Sequence, residues 1–274
     1  MARTEAFAPA KVNLALHVTG RRADGYHLLD SLVAFADVGD RVFVDDGPGL
    51  SLTVSGPRAA GVPAGPENLV LKAAVFAGVA DAAISLEKHL PSAGGIGGGS
   101  SDAAATLRAC AVRFGTQVPD TLPLGADLPV CVLARACRMA GIGEILTPVG
   151  GLPPLPAVLV NAGVDVPTGA VFSRLASRHN APMDPVPADW GDVPATVDWL
   201  GRQRNDLEAP AQEVAPVIGD VLAALRGSGA LLARMSGSGG TCFGVFSDEG
   251  QAASCAASLR EAHPGWWVAE TVLN

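Results

Sequence analysis

The chain has 274 residues, 49% hydrophobic, 17% charged and 5% aromatic. These are the proportions of a compact folded protein with a core mainly of Ala, Val and Leu, and they exclude large-scale disorder. A formal net charge of -8 excludes nucleic acid as the main partner, because backbone binding relies on a broad basic face, and any anionic ligand must be held locally.

At this length two domains of ordinary size are expected, and the elements follow that plan. The first part is β-rich: AKVNLALHV, LLDSLVAFADV, RVFVDD and LSLTVS have strand composition, with Gly, Pro and Asp marking the turns. A helix is expected over ENLVLKAAVFAGVA with Asn68 as its cap, then a strand over AAISLEKHL, a glycine loop, and a helix from Ser100 to about Phe114. GADLPVCVLA reads as a short helix begun at the Asp127 turn, and RMAGIGEIL as one strand or a pair. The segment TPVGGLPPLP is dense in Pro and Gly and places a boundary between domains 1–148 and 149–274. Beyond it come a strand at AVLVNAG, a helix at TGAVFSRLAS, a Pro/Asp/Trp-rich excursion over 181–194 and a long helix from about Asn205 to Arg226. ALLARMS, a second glycine loop SGSGG, the strand TCFGVFS, a helix over 248–262 and WWVAETV close the chain. No signal pattern and no apolar run of membrane-spanning length occurs, and the five cysteines form no C-x-x-C pair. A cytoplasmic protein with buried thiols is expected, with no membrane and no obligate protein partner in evidence.

The stretch PSAGGIGGGSSDAAA, residues 91–105, carries the most chemistry. Glycines let backbone N–H groups converge on one point, and the helix that follows adds its unsatisfied first-turn N–H groups and the positive end of its dipole, so the junction suits phosphate. Gly94 and Gly99 imitate the opening of a Walker A loop, but Ser100 and Ser101 stand where its Lys-Ser/Thr pair belongs. The dinucleotide fingerprint fails as well, since Ser100 takes the place of its third glycine. The plain alternative is a flexible Gly/Ser linker, although the tract lies between two well-patterned elements.

Three separated segments, PAKVNLALHVTGRRADGYHLLDS, PSAGGIGGGSSDAAA and RMSGSGGTCFGVF, resemble the three signature motifs of the GHMP small-molecule kinases. The run AKVNLALHVTGRRADGYH, together with GADLPVCVLA, GIGEIL and RNDLE, is similar to the members of that family that act on a cytidine diphosphate-linked methylerythritol in non-mevalonate isoprenoid biosynthesis. The resemblance fades over 181–204, and the segment 115–124 is shorter than is usual in the family. It implies a two-domain α+β fold, with an N-terminal α/β domain like ribosomal protein S5 and a ferredoxin-like C-terminal domain. It also implies ATP and Mg²⁺ as cofactors, a small-molecule acceptor, and transfer of a phosphoryl group to an alcohol. Another GHMP activity, on homoserine, mevalonate or a sugar, and a non-catalytic nucleotide-sensing relative are the competing readings.

Carried over residue by residue, the resemblance makes Asp127 the catalytic base beside the acceptor hydroxyl and Lys11 its cationic neighbour, offsetting charge as that hydroxyl is activated. The plain alternatives are a helix N-cap for Asp127 and a snorkelling edge-strand lysine for Lys11. Asn13, Tyr26 and His27 fall where the family recognises the cytidine end. Tyr26, the single tyrosine of the chain, has a ring suited to stacking, and Phe172 resembles the aromatic closing the other face. As plain packing residues each of these needs no function. Gly95, Gly97, Gly98, Gly99, Ser100 and Ser101 are expected around the ATP phosphates, and Asn68 and Lys88 at adenosine, with a cap and an exposed strand charge as their alternatives. No metal ligand is assigned. Asp102 reads as an acid complementing the helix dipole, and the loop 236–240 as a support for the first glycine loop or a tight strand connection.

Overall fold

The computed structural model describes residues 3–92 and 94–274; Met1, Ala2 and Ala93, the last within the glycine loop, lie outside the described residues. The contacts divide the chain into two compact units. The first joins the N-terminal segment up to Lys11 with Val38–Ser92 and Gly97–Ala134. The second joins Val12–Asp37, the short loop segment up to Ile96, and Arg135–Asn274. This division differs from a single cut between residues 148 and 149. Two long strands, β1 (Thr4–Arg21) and β2 (His27–Asp45), each contribute residues to both units.

In the first unit β3 (Leu50–Ser55) pairs in parallel with β4 (Ala82–Glu87), and β4 pairs antiparallel with the second half of β2, Val42 opposite Leu86. Burial alternates strictly along β4, so one face of this sheet is packed. Against it lie α1 (Leu69–Phe76) and α2 (Gly98–Phe114). Val42, Val44, Ile84 and Leu86 from the strands meet Val70, Ala74, Ala105 and Ala109 from the helices. Small alanines at the helix positions let the layers approach closely. A second cluster, Ala73, Ala103, Leu107 and Leu128, seats α3 (Leu128–Leu133) against α1 and α2.

In the second unit β5 (Cys137–Gly141) and β6 (Ile145–Pro148) form a hairpin, and β5 pairs with the first half of β2. This pairing makes the hairpin part of the second unit, although the chain just before it, up to Ala134, belongs to the first. Strands β7 (Leu155–Asn161), β8 (Leu232–Met235), β9 (Thr241–Val245) and β10 (Trp267–Leu273) stand in the order β10-β7-β9-β8. Their links run through α4 (Thr168–Ser173), α5 (Val193–Arg202), α6 (Glu208–Val214) and α7 (Val217–Gly227) after β7, and through α8 (Glu249–Ala262) after β9. Strand–helix–strand–strand–helix–strand with this order is the ferredoxin-like arrangement. Its core joins Val158, Val160 and Phe246 to Ile218, Val221, Leu222, Leu225, Ala252 and Leu259. Arg234 is buried here and donates to the carbonyls of Leu14, Leu200 and Gln203. Burial pushes its guanidinium down to about 10.

Three expectations are corrected by the structure. LLDSLVAFADV and RVFVDD are one strand, not two: Gly39 is no turn but a point of close approach, where a Cβ would lie 2.3 Å from the carbonyl oxygen of Ala8. The long helix over 205–226 is two helices. Pro216 has no N–H and forces Ala215 out of helical geometry (φ -139°, ψ 87°). The excursion over 181–194 ends in α5, which the expected elements omit; Asp192 caps it by accepting from Ala195 N–H at 3.0 Å. All five cysteines are buried, and burial raises the thiols of Cys110 to about 11 and Cys131 to about 12. No helix among the described residues is long and apolar enough to cross a membrane.

Candidate active site

In the first unit the glycine loop opens into α2 through Gly97, which sits at φ +66° as the N-cap and offers no side chain to cap the helix. The first bond back into the helix is from Ser101 N–H to Gly97 O at 2.7 Å. Ahead of it, the N–H groups of Gly98, Gly99 and Ser100 have no backbone partner among the described residues. Such an open first turn is the anion-binding geometry of helix N-termini. A Cβ on Gly97 would lie 3.2 Å from Lys11 Cβ, whereas one on Gly99 would meet nothing within 4 Å. The loop thus closes inward on Lys11 and stays open outward. Ser101 turns its hydroxyl inward, donating to Pro9 O at 2.7 Å and lying 3.5 Å from Cys131 Sγ. The hydroxyl of Ser100 has no partner among the described residues.

Lys11, on a strand otherwise apolar at this point, is buried, and its Nζ lies 2.9 Å from Asp127 Oδ2. Exposure is lopsided: 4% for the lysine side chain and 40% for the aspartate. Asp127 occupies the N-cap position of α3, yet its side chain caps no N–H. Burial with a partner excludes the snorkelling lysine, and the absence of a cap bond removes the capping role that Asp127 had as its alternative.

Behind the loop Lys88 Nζ is paired with Asp40 and, at 2.8 Å, with Asp102, all three buried. Asp40 Oδ1 accepts from the backbone N–H groups of His89 and Leu90 at 2.5 and 2.8 Å. Asp102 Oδ1 has no partner among the described residues. Desolvation raises the Asp102 carboxyl to about 7, with the Asp40 charge adding to the rise and Lys88 opposing it. The same carboxylates lift Lys88 above its ordinary value against the effect of its burial. Lys88 is therefore no exposed strand charge, and Asp102 is not a first-turn dipole acid. Asn68 caps α1 by accepting from Val70 N–H at 2.9 Å and donates to Pro63 O at 2.6 Å.

In the second unit the hairpin between β1 and β2 turns on Arg22–Tyr26, with Arg22 N–H bonded to Tyr26 O at 2.7 Å. It leaves Tyr26 58% exposed. The next residue, His27, stacks on Phe172 of α4, centroids 4.5 Å apart and planes 24° from parallel. Phe172 thus faces His27, and no third ring fits between them, since an intercalated ring needs about 7 Å. His27 Nε2 is buried with no partner among the described residues. Desolvation first, then the charges of Arg21 and Arg178, lower its pKa and keep the imidazole neutral. Asn13 is wholly buried; its Nδ2 donates to Ser31 Oγ at 2.8 Å, while Oδ1 is unpartnered among the described residues. The second glycine loop braces the first: Ser236 Oγ accepts from Asn13 N–H and donates to Gly95 O at 3.0 Å, and Thr241 N–H donates to Gly94 O at 2.9 Å. A Cβ on Gly95 would lie 2.5 Å from Gly239 O, so only glycine fits there.

Lys11, Asp127, Gly97 to Ser101, Asn68 and Lys88 thus belong to one unit, and Asn13, Tyr26, His27, Phe172 and Gly95 to the other. The expected site residues did not include Asp40 or Ser236 individually. A carboxylate inside the apolar run of β2 was the available signal for Asp40, obscured because Gly-Asp reads as a turn. Among the described residues no cluster of three or more His, Cys, Asp or Glu has metal-binding geometry.

The family model for the GHMP kinases N terminal domain matches residues 68–137, and that for GHMP kinases C terminal matches residues 189–265. A 4-diphosphocytidyl-2-C-methyl-D-erythritol kinase of Dinoroseobacter shibae is 62% identical over 273 residues, covering 98% of this chain and 94% of that protein. One from Cereibacter sphaeroides is 56% identical over 270 residues, 97% of each chain. A solved 4-(cytidine 5'-diphospho)-2C-methyl-D-erythritol kinase superposes with a TM-score of 0.78 at 35% identity, covering 98% of this chain and 99% of that one. With its ferredoxin-like second unit, its open glycine-loop helix and these matches along nearly its whole length, the chain belongs to the GHMP kinases, within the family of 4-diphosphocytidyl-2-C-methyl-D-erythritol kinases.

Proposed function

We propose that the protein transfers the γ-phosphoryl group of ATP to the 2-hydroxyl of 4-diphosphocytidyl-2-C-methyl-D-erythritol, a step of non-mevalonate isoprenoid precursor synthesis. The observation that carries the reading is the Lys11–Asp127 pair: a buried ammonium that touches a half-exposed carboxylate, on a side chain whose stem packs beside Gly97 at the start of α2. The N–H groups of Gly98 to Ser100 and the α2 dipole hold the ATP phosphates. Asp127 takes the proton of the acceptor hydroxyl as its oxygen bonds the γ-phosphorus and the bond to ADP breaks in line. Lys11 offsets the charge gathered on the attacking oxygen. Mg²⁺ bound with the nucleotide would supply neutralisation of phosphate charge; an ion of this kind keeps phosphate and water ligands, so the donor set here would need no cage of carboxylates.

For the acceptor, the orphaned His27 Nε2 and Asn13 Oδ1 are the polar atoms that a substrate satisfies, and the neutral imidazole both donates and accepts at a base edge. Tyr26, exposed and unstacked, supplies a free aromatic face for cytosine beside the His27–Phe172 pair.

The test is turnover with ATP and Mg²⁺ against cytidylylated methylerythritol, homoserine, mevalonate and galactose. ADP release with the first acceptor alone is expected. Silence with it beside brisk turnover of another acceptor refutes the assignment; ATP binding without transfer to any acceptor points to a nucleotide-sensing protein.

A further inference from the structure

Asp40 is 0% exposed in the second half of β2 and belongs to none of the three signature segments. Its two oxygens divide their work. Oδ1 takes the N–H groups of His89 and Leu90, the residues that lead from β4 into Pro91 and the glycine loop, at 2.5 and 2.8 Å. Oδ2 takes Lys88 Nζ, and the same ammonium reaches Asp102 Oδ2 at 2.8 Å in α2, the helix that leaves the loop. Lys88 Nζ passes directly under the cradle, 3.7 Å from where a Cβ on Gly98 would stand. The peptide of Lys88 is itself pinned, its N–H to Ser55 O at 2.8 Å and its carbonyl accepting from Arg58 N–H at 3.1 Å.

We infer that Asp40 is the positioning residue of the phosphate cradle: one buried carboxylate ties the strand that enters the glycine loop to the helix that leaves it, through Lys88 and Asp102. The span between those two ends determines where the N–H groups of Gly98 to Ser100 point, so the clamp sets nucleotide geometry without touching nucleotide. Its neighbours explain why an aspartate is required. Three donors converge on it from one side, two backbone N–H groups and an ammonium, and only a carboxylate accepts all three. In Asp40→Asn the amide keeps one acceptor for the backbone and turns an NH₂ on the ammonium, releasing Lys88 to Asp102 alone. In Asp40→Glu the added methylene keeps the charge but displaces it.

The inference rests on the reading that ATP occupies this loop, and the test separates the two. ATP binding with Mg²⁺ is measured calorimetrically on the full chain, with KM for ATP and for the cytidylylated acceptor measured in parallel. If the wild-type chain does not bind ATP, the functional reading fails first. If it does, Asp40→Asn is expected to weaken ATP binding and raise KM for ATP by roughly 10-fold to 10²-fold, the scale of a misplaced reacting group, with the acceptor KM within about twofold. Asp40→Glu is expected to fall between the two. An Asp40→Asn protein with unchanged ATP affinity, or with both KM values raised alike, overturns the proposal. Should that variant not fold, amide exchange on the wild-type protein decides: His89 and Leu90 must exchange as slowly as the paired amides of β4, and loop-like exchange at either refutes the clamp.

Discussion

Replacing Asp127 by Asn separates chemistry from architecture. The amide is isosteric and still accepts from Lys11, so the 2.9 Å contact survives while the charge is lost. Because the aspartate is 40% exposed, water screens the change and the loss of stability is held to about 1 kcal/mol. That corresponds to a fall in Tm of roughly 2–4 °C for a chain of this size. Loss of a general base costs far more, roughly 10²-fold to 10⁴-fold in turnover, or about 2.7–5.4 kcal/mol of barrier. With a native stability of about 5–15 kcal/mol, the variant stays folded at assay temperature and the two effects do not mix. The assay is steady-state ADP release at saturating ATP and acceptor, beside calorimetric ATP binding, which should match wild type. A folded Asp127→Asn protein retaining more than about a tenth of wild-type turnover refutes the role of Asp127 as base.

Gly97→Ala forces a β-carbon into left-handed backbone and to within 3.2 Å of Lys11 Cβ, so we expect about 1–2 kcal/mol of strain and a weaker ATP Kd, both checked by thermal melts and calorimetry. Phe172→Ala removes the ring stacked on His27; at about 0.5–1.5 kcal/mol for such a pair, the acceptor KM should rise roughly 2-fold to 13-fold with KM for ATP unmoved. The pH dependence of stability should carry the mark of Asp102. Its folded value of about 7 lies above the ordinary 3.8, so the folded protein holds a proton that the unfolded chain releases. That contribution is complete at acid pH and is lost as pH rises from the unfolded value through about 7. Asp102→Asn should therefore flatten the decline of Tm across this window; an unaltered profile removes Asp102 as its source.

What could be read from residues alone followed how local the physics is. The Asn68 cap, the helix entered through the glycine tract and the fully buried β7 run each depend on neighbours a few positions away, and the structure reproduces them. Lys11 and Asp127 lie 116 positions apart, and nothing in either neighbourhood announces the other; the motif resemblance alone joined them before the contact was visible. Gly39–Asp40 was misread for the same reason, since the glycine answers to Ala8 and the aspartate to residues 88–90. The triad also shows why Lys88 resisted interpretation. A lysine at a strand end looks solvated until two acids from other elements converge on it. The His27–Phe172 stack is equally non-local, since the β1–β2 hairpin and α4 are far apart in the chain and neither neighbourhood announces the contact.

Four buried cysteines, Cys110, Cys131, Cys242 and Cys255, give the molecule a built-in record of its own opening. With the thiols of Cys110 and Cys131 held near 11 and 12 and those of Cys242 and Cys255 also raised by burial, scarcely any thiolate exists in the native state at neutral pH, and reagent meets sulfur only when packing is breached. Cys110 and Cys131 lie in one unit and Cys242 and Cys255 in the other. The order in which they are alkylated therefore reads out which half of the chain loosens first, with no label added and no residue changed.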